Sequence, residues 1–577
     1  MESILLRFCC FILFATAGVA ANAYDFVVNG IYYNILSKTD RTVEVTKADG
    51  NDYSGDVVIP AVVDHDGVAY SVTKIGEGAF SQCPALTSVS MSSVDTIDYG
   101  AFYHSDNLAS VRLPATLTLI KGNPFSGCSA LKEIVVDEDN TKYSSDGGVL
   151  YDKSKETLIC WPTAQADIDI PSSVTAIGES AFENCHNLTS VSMPSVETIG
   201  GMAFICCSSL TSVSMPSVKM IDYLAFHICT DLTSVSMPSV ETIGEKAFSC
   251  CFILTSVDMP SVKTIGNEAF EGCALMSASL PASCTLVGVN PFSACSELEE
   301  IVVDENNMNY TSVDGVLYDK AIRTLISCPA GKHSIDIPSS VTKIGESAVF
   351  DCDRLTSVRL PASCTSIAGN PFGSCNSLEE LVVDGDNLNF ASVDGVLYDK
   401  DIRTLMVFPG ARHSVDVPPS VTTIGRSAFF SCDSLRSVSM PSVTTLGNAA
   451  FYSCDNLALA EMPKVTMVGD SAFLFCRNLK SVSMPSAVTI GKFAFVGCES
   501  LVSVDIPASV TSIGSHAFYF SDSLTSVHCH WERPLECGQL FDDEVLENAT
   551  LFVPVGTMEA YRAVAPWSRF ANIKEKD

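Results

Sequence analysis

The chain has 577 residues, of which 47% are hydrophobic and 18% charged, against roughly 25% charged in an ordinary soluble domain. That apolar content excludes wholesale disorder. With 34 basic and 67 acidic residues the net charge is −33, which excludes a nucleic-acid partner, because such affinity rests on Lys and Arg displacing counterions from phosphates.

Met1 to Ala23 (MESILLRFCCFILFATAGVAANA) has Arg7 in a short n-region, an apolar run from Phe8 to Ala20 and the cleavage box Ala21-Asn22-Ala23. The apolar run is short for a membrane span, so residues 1–23 read as a signal peptide, with no further transmembrane segment in the mature chain. Residues 24–69 alternate polar and apolar positions and predict an N-terminal β cap, a hairpin covering the first coil of a repeat that begins near residue 70.

From residue 70 to 528 one unit recurs. Leu188 to Cys207 read LTSVSMPSVETIGGMAFICC, and Leu210 to Cys229 read LTSVSMPSVKMIDYLAFHIC. The phenylalanine of the A-F-x-x-C box sets the register through sixteen boxes from Phe80 to Phe518, with Val349 standing in once. The L-T-S-V-S-M segment alternates apolar and small polar residues, which predicts a short strand with one buried face, ended by proline. S-V-x-x-I-G turns Val and Ile inward, with glycine where the chain turns. A-F-x-x-C is too short for a regular helix and predicts a single helical or 3₁₀ turn.

One such unit cannot bury its apolar face alone, so copies must stack. Three gaps between boxes are longer, at 57 residues each, and all are filled by one insert. Its copies read DGGVLYDKSKETLICWP from Asp146, DGVLYDKAIRTLISCP from Asp314 and DGVLYDKDIRTLMVFP from Asp394. Two β-favouring runs around an Asp-Lys turn predict hairpins, near 143–162, 310–329 and 390–409. Sixteen boxed coils and three hairpin coils predict nineteen, about 90 Å at one strand spacing per coil. A single elongated β-rich solenoid thus replaces the three or four domains that length alone implies. Residues 529–577 lack the box and predict a C-terminal cap, a strand and a helix.

The run I-P-S-S-V-T-x-I-G-x-x-A-F-x-x-C-x-x-L from Ile170 to Leu188 resembles the leucine-rich repeats of BspA-like surface proteins. So do the D-G-V-L-Y-D-K inserts at Asp314 and Asp394, and the ending with FVPVGTMEAY at Phe552 and PWSRFANI at Pro566. The resemblance implies a right-handed stack of short strands and single helical turns, with three inserted β-hairpins and distinct end caps. It further implies an exported protein, secreted or at the cell surface. A non-enzymatic role is implied as well: adhesion or binding to a host extracellular-matrix protein or a surface glycan or protein. The alternative is a structural spacer or envelope component without a dedicated ligand.

The remaining candidates are weighed on their residues. Fourteen of the 24 cysteines hold the box position, and Ser105 and Ser521 fill the same slot elsewhere. A serine can replace a cysteine that bonds backbone but not a disulfide partner, so the spine reads as reduced core. Cys284 and Cys364, in a valine slot, read as core as well. Cys529 and Cys537, close together in the cap, are the best candidates for a disulfide. Asp137-Glu138-Asp139-Asn140, Asp304-Glu305-Asn306-Asn307 and Asp384-Gly385-Asp386-Asn387 precede the inserts; oxygen ligands of that kind suit Ca²⁺, but turn chemistry is the better reading.

His528 and His530 share one strand face, with no third carboxylate near in sequence, so no metal is assigned. No nucleophile motif, zinc signature or phosphate loop is present, and no catalytic residue or cofactor is assigned. The outward strand positions, Ser190, Ser192, Ser212, Ser214, Ser234, Ser236, Ser256 and Asp258, form a flat polar face and the candidate binding surface. It lacks the aromatic side chains that anchor tight interfaces.

Overall fold

The computed structural model describes residues 24–47, 53–165 and 168–576, so the signal-peptide segment lies outside the described residues. The described residues form a β-solenoid of about 23 turns with almost no helix. It divides into two compact units, Met1–Cys295 with Val302–Met308 and Ser296–Ile301 with Asn309–Asp577. No helix among the described residues is long and apolar enough to cross a membrane.

The first unit opens with β1 (Phe26–Val28), β2 (Ile31–Ser37) and β3 (Thr42–Val45), an antiparallel meander. β4 (Ser54–Ile59), β5 (Val62–His65) and β6 (Val68–Ile75) come next, and β3 joins β6 in parallel. The cap is therefore more than a hairpin, and the 69/70 boundary falls inside β6. β4 already pairs in parallel with β7 (Ala85–Met91), so stacking begins before the first box. Ion pairs tie cap to coils: Lys74 bridges Glu44 and Asp98 at 3.0 Å each, and Lys121 reaches Asp98 at 2.9 Å.

Two strands per coil alternate down the repeats. The L-T-S-V-S-M segments give strands such as Ser190–Ser192 and Ser212–Ser214, with serines out and valines in. The I-G segments give two-residue strands such as Thr198–Ile199 and Met220–Ile221, paired coil to coil with Ile199 opposite Ile221. The glycine that follows most of these isoleucines, such as Gly200, Gly244 and Gly266, sits at a close approach between coils. A Cβ on Gly266 would lie 2.5 Å from the Glu245 nitrogen and the Gly244 carbonyl carbon. A bare Cα suits that approach, although Asp98 and Asp222 hold the same slot in other coils and make the same amide bond to the preceding coil.

The A-F-x-x-C boxes are not the single helical turns that the sequence predicts. Two left-handed residues four apart interrupt the box, Ser180 at φ 56° and Asn184 at φ 61°. Alternate amides then serve different partners. Ala181, Glu183 and Cys185 bond back three residues, while Ser180, Phe182 and Asn184 donate across to Gly201, Ala203 and Ile205 of the next coil. A helical turn would spend every amide locally and leave the coil edge unpaired, so coil-to-coil bonding wins over the cost of left-handed residues.

Inside, the box phenylalanines stack. Phe182–Phe204, Phe204–Phe226 and Phe226–Phe248 have centroids 4.7, 4.9 and 5.0 Å apart. In the second unit Phe429, Phe451, Phe473, Phe495 and Phe518 continue the pattern at 4.5 to 5.3 Å.

Each insert holds the predicted hairpin plus a third strand. In the first, Tyr143–Asp146 pairs antiparallel with Val149–Asp152, which pairs antiparallel with Thr157–Cys160, and the last joins Ala176–Ile177 in parallel. The hairpin turn is set by its aspartate: Asp152 Oδ1 accepts from the amides of Glu156 and Thr157 at 2.8 and 2.9 Å, and Asp319 and Asp399 repeat the contact. Trp161 then takes the phenylalanine's place, stacked 5.5 Å from Phe182.

At the other end the strand column runs on past residue 529. Ser503–Ile506, Ser526–Cys529, Thr550–Val553 and Asn572–Glu575 form one parallel sheet, so the predicted strand and helix are two strands with two short helices, Asp543–Asn548 and Met558–Arg562. These additional strands at both ends raise nineteen predicted coils to about 23.

Candidate functional site: the strand face and its terminal cleft

The predicted surface residues lie together on the first unit. Ser190 is in register with Ser212 and Ser192 with Ser214; Ser234 is in register with Ser256 and Ser236 with Asp258. All eight are exposed, while Met193, Met215, Met237 and Met259 beneath are buried. Beside them Thr211 and Thr255 spend their hydroxyls on the carbonyls of Thr189 and Thr233 in the preceding coils, at 2.9 and 3.2 Å. The serine hydroxyls are freer: Ser236 reaches Asp258 Oδ2 only at 3.4 Å. The result is a flat array of short donors and acceptors. On the second strand row Glu197–Lys219 and Lys263–Glu241 pair at 2.9 and 2.8 Å, exposed contacts that contribute little to stability.

The second unit carries a feature that sequence reading missed. Asp505 lies opposite His528, and His528 opposite Phe552, on adjacent strands. His530 Nε2 is 2.6 Å from Asp505 Oδ1, which supplies the carboxylate that no neighbour in sequence provides. The His528 ring stacks on Phe552 with centroids 4.6 Å apart, and Lys576 Nζ lies 5.6 Å from the Phe552 centroid. Burial, and then the Lys576 ammonium, hold His528 below its ordinary value. With Ser503 these groups line an open cleft of about 490 Å³. Among the described residues no group of three or more His, Cys, Asp or Glu is arranged to hold a metal ion. The signal was available in the strand register, Asp505, His528 and Phe552 being equivalent positions of successive strands. It was hidden because residues 529–577 do not read as further coils.

The other candidates resolve into packing. All 22 cysteines among the described residues are free thiols. Box cysteines donate to the phenylalanine carbonyl of the preceding coil: Cys207 to Phe182 at 3.0 Å, Cys229 to Phe204 at 3.2 Å and Cys454 to Phe429 at 2.9 Å. Ser105 and Ser521 make the same bond to Phe80 and Phe495, at 2.5 and 3.1 Å. Burial pushes Cys128 and Cys295 up to about 12, so these thiols stay protonated. Cys284 and Cys364 are fully buried core. Cys529 and Cys537 are neighbours but separate thiols; burial first, and then the Cys537 sulfur, raise Cys529.

The acidic runs are turns. Asp137, Asp304 and Asp384 accept the amide two residues on, at 3.0, 2.8 and 3.0 Å. Asn140, Asn307 and Asn387 are buried, and each Nδ2 donates to two carbonyls of the preceding coil.

A family model described as the BspA type leucine rich repeat region matches in six copies, over residues 68–147, 161–261, 219–327, 322–393 and 411–528. Solved structures are similar at low global superposition. A leucine-rich cell surface protein from Faecalibacterium prausnitzii is 26% identical, over 76% of this chain and 94% of that one, with a TM-score of 0.38. A leucine-rich repeat protein from Bacteroides ovatus is 21% identical over 96% and 100% of the two chains, at TM-score 0.28. The pneumococcal vaccine antigen PcpA is 16% identical over 96% and 98%, at TM-score 0.26. No curated protein matches in sequence. The matched repeats span most of the described chain, and the chain belongs to the family of the BspA type leucine rich repeat region.

Proposed function

We propose that this leucine-rich-repeat protein is exported and works without catalysis, as an adhesion or binding protein for a host matrix protein or another surface polymer. The family supports a binding or adhesion role. The observation that carries the reading further is the two in-register strand pairs between Ser190 and Asp258, whose outward residues are polar and exposed. Such a surface offers many weak hydrogen bonds to a repetitive partner and no deep pocket to a small one. Its lack of aromatic anchors predicts modest affinity per coil, with avidity from repetition.

The test is binding of the purified chain to immobilised matrix proteins and glycans. Saturable binding is expected, weakened about tenfold when Ser212 and Ser234 both become lysine, with unchanged unfolding because both are exposed. Absence of saturable binding across the panel would overturn the adhesive reading.

A further inference from the structure

Two independent observations meet at the start of the first unit. β4 is the terminal strand of its sheet: β7 occupies one edge, and among the described residues no strand pairs with the other. A free edge is a row of unspent amides and carbonyls, the recognition chemistry of a second extended chain. β4 faces the β1–β2 turn, Val28 to Ile31, across a cleft of about 420 Å³.

The second observation lies in the lining of that cleft. Tyr33 lines it, is wholly buried with its ring 5.3 Å from Phe26, and its hydroxyl has no hydrogen-bond partner. A buried donor left unmade is costly, and an incoming carbonyl relieves that cost. Burial pushes the Tyr33 hydroxyl up to about 12, so it stays a donor. Beside it Val58 stands 70% exposed, and Asp56 is the one charged residue of the lining, its carboxylate held by the Ser88 and Thr87 hydroxyls at 2.6 and 2.9 Å.

We propose that the free edge of β4 takes up an extended peptide as an added strand, with a basic side chain opposite Asp56 and a carbonyl accepting from Tyr33. The occupant is a peptide because an edge presents donors and acceptors at backbone spacing, which a compact ligand cannot match. It is cationic there because Asp56 is the lining's only charge. The sheet itself shows a matching strand: β7 sets Ser88 opposite Asp56 and Val89 opposite Val57.

That register supplies the probe. Acetyl-Leu-Thr-Lys-Val-Ser-Met-amide copies Leu86–Met91 with lysine in place of Ser88, and is titrated into the full chain while amide exchange is followed. Saturable binding with slowed exchange confined to residues 54–59 is expected. The unmodified Ser peptide should bind more weakly, and a peptide N-methylated at alternate residues at least about tenfold more weakly. Tyr33→Phe keeps the ring packing and should cost about fivefold in affinity without loss of folding. Asp56→Asn should erase the preference for lysine. Equal binding by the N-methylated peptide, or protection elsewhere in the chain, overturns the proposal. So does concentration-dependent protection of residues 54–59 in the free chain with dimers in sedimentation, because a second copy then fills the edge.

Discussion

The thiol of Cys251 donates to the carbonyl oxygen of Phe226, 3.2 Å away in the preceding coil. The bond explains why serine substitutes in this slot and why the cysteines need no partner. Cys251→Ser keeps a donor and should lose less stability than Cys251→Ala, which leaves the Phe226 carbonyl with the Cys229 amide alone, 3.3 Å away, at a cost of about 0.5–1.5 kcal/mol for the lost bond. Urea unfolding of both variants decides it. An alanine variant as stable as the serine one would remove the bond from any stabilising role.

Gly266 and Gly538 make a matched pair for substitution. A Cβ at Gly266 meets backbone at 2.5 Å, whereas at Gly538 nothing lies within 4 Å. Backbone cannot yield as a side chain does, so Gly266→Ala should cost roughly 2–4 kcal/mol, with Gly538→Ala within about 0.5 kcal/mol of the parent. Comparable melting temperatures for the two would refute close approach as the reason for the glycine.

Asn387 is wholly buried and makes four bonds, two from Nδ2 to the carbonyls of Pro361 and Cys364 and two at Oδ1 from the amides of Asn389 and Phe390. Asn387→Ala removes all four bonds, the Pro361 carbonyl keeping only the Cys364 amide at 3.1 Å, and is expected to destabilise by about 3 kcal/mol. Asp384→Ala, at an exposed turn, should cost less than about 1 kcal/mol. Calcium should stabilise neither parent nor variant, and a calcium-dependent rise in melting temperature would reopen the ligand reading.

His227 is buried, with Nδ1 2.9 Å from Ser249 Oγ, and faces Ser249, Glu271 and Lys246. Burial depresses it from 6.5 to about 4. Below pH 6.5 the unfolded chain therefore binds more protons at this site, so the stability it contributes falls from pH 6.5 down to about 4. Burial raises Glu271, which works in the opposite direction. Comparison with His227→Gln isolates the histidine: the parent should lose about 1–3 kcal/mol more than the variant between about pH 7 and 4.5. Parallel pH profiles would show that His227 does not titrate on unfolding.

Cys529 and Cys537 are proposed as a pair that forms a disulfide by exchange with an external disulfide oxidant, which is reduced to its dithiol as it takes up the two electrons and two protons. Cys529 is buried and Cys537 half-buried, and burial pushes the Cys537 thiol up to about 12, so both are poor nucleophiles and formation should be slow without a catalyst. Non-reducing peptide mapping of the chain after exposure to that oxidant should find the linked peptides, and both thiols alkylated after denaturation would dismiss the bond.

The repeat made much of this legible, because sixteen aligned boxes report one environment sixteen times. Ser105 and Ser521 standing in for cysteine disclosed a backbone acceptor before any geometry was known. What stayed hidden has physical causes. The left-handed backbone at Ser180 and Asn184 is offset by bonds to the next coil, so no local propensity announces it. Tyr143–Asp146 reads Y-S-S-D, too polar for a strand until the hairpin beside it supplies the ladder. Asp505 and His530 meet only because their strands stack, 25 residues apart in sequence.

The coil-to-coil bonds also fix an electrical property. In the box turns of the first unit the amides of Phe182, Phe204, Phe226 and Phe248 donate forward, to Ala203, Ala225, Ala247 and Ala269. In the isoleucine strands the amides of Gly200, Gly244 and Gly266 donate backward, to Ile177, Ile221 and Ile243. Peptide dipoles at these two corners therefore oppose one another, whereas in an α-helix all of them add. Lengthening this stack by further coils builds up little axial field, so an ion near either end of the unit meets side-chain charge, and repeat number can vary without altering that.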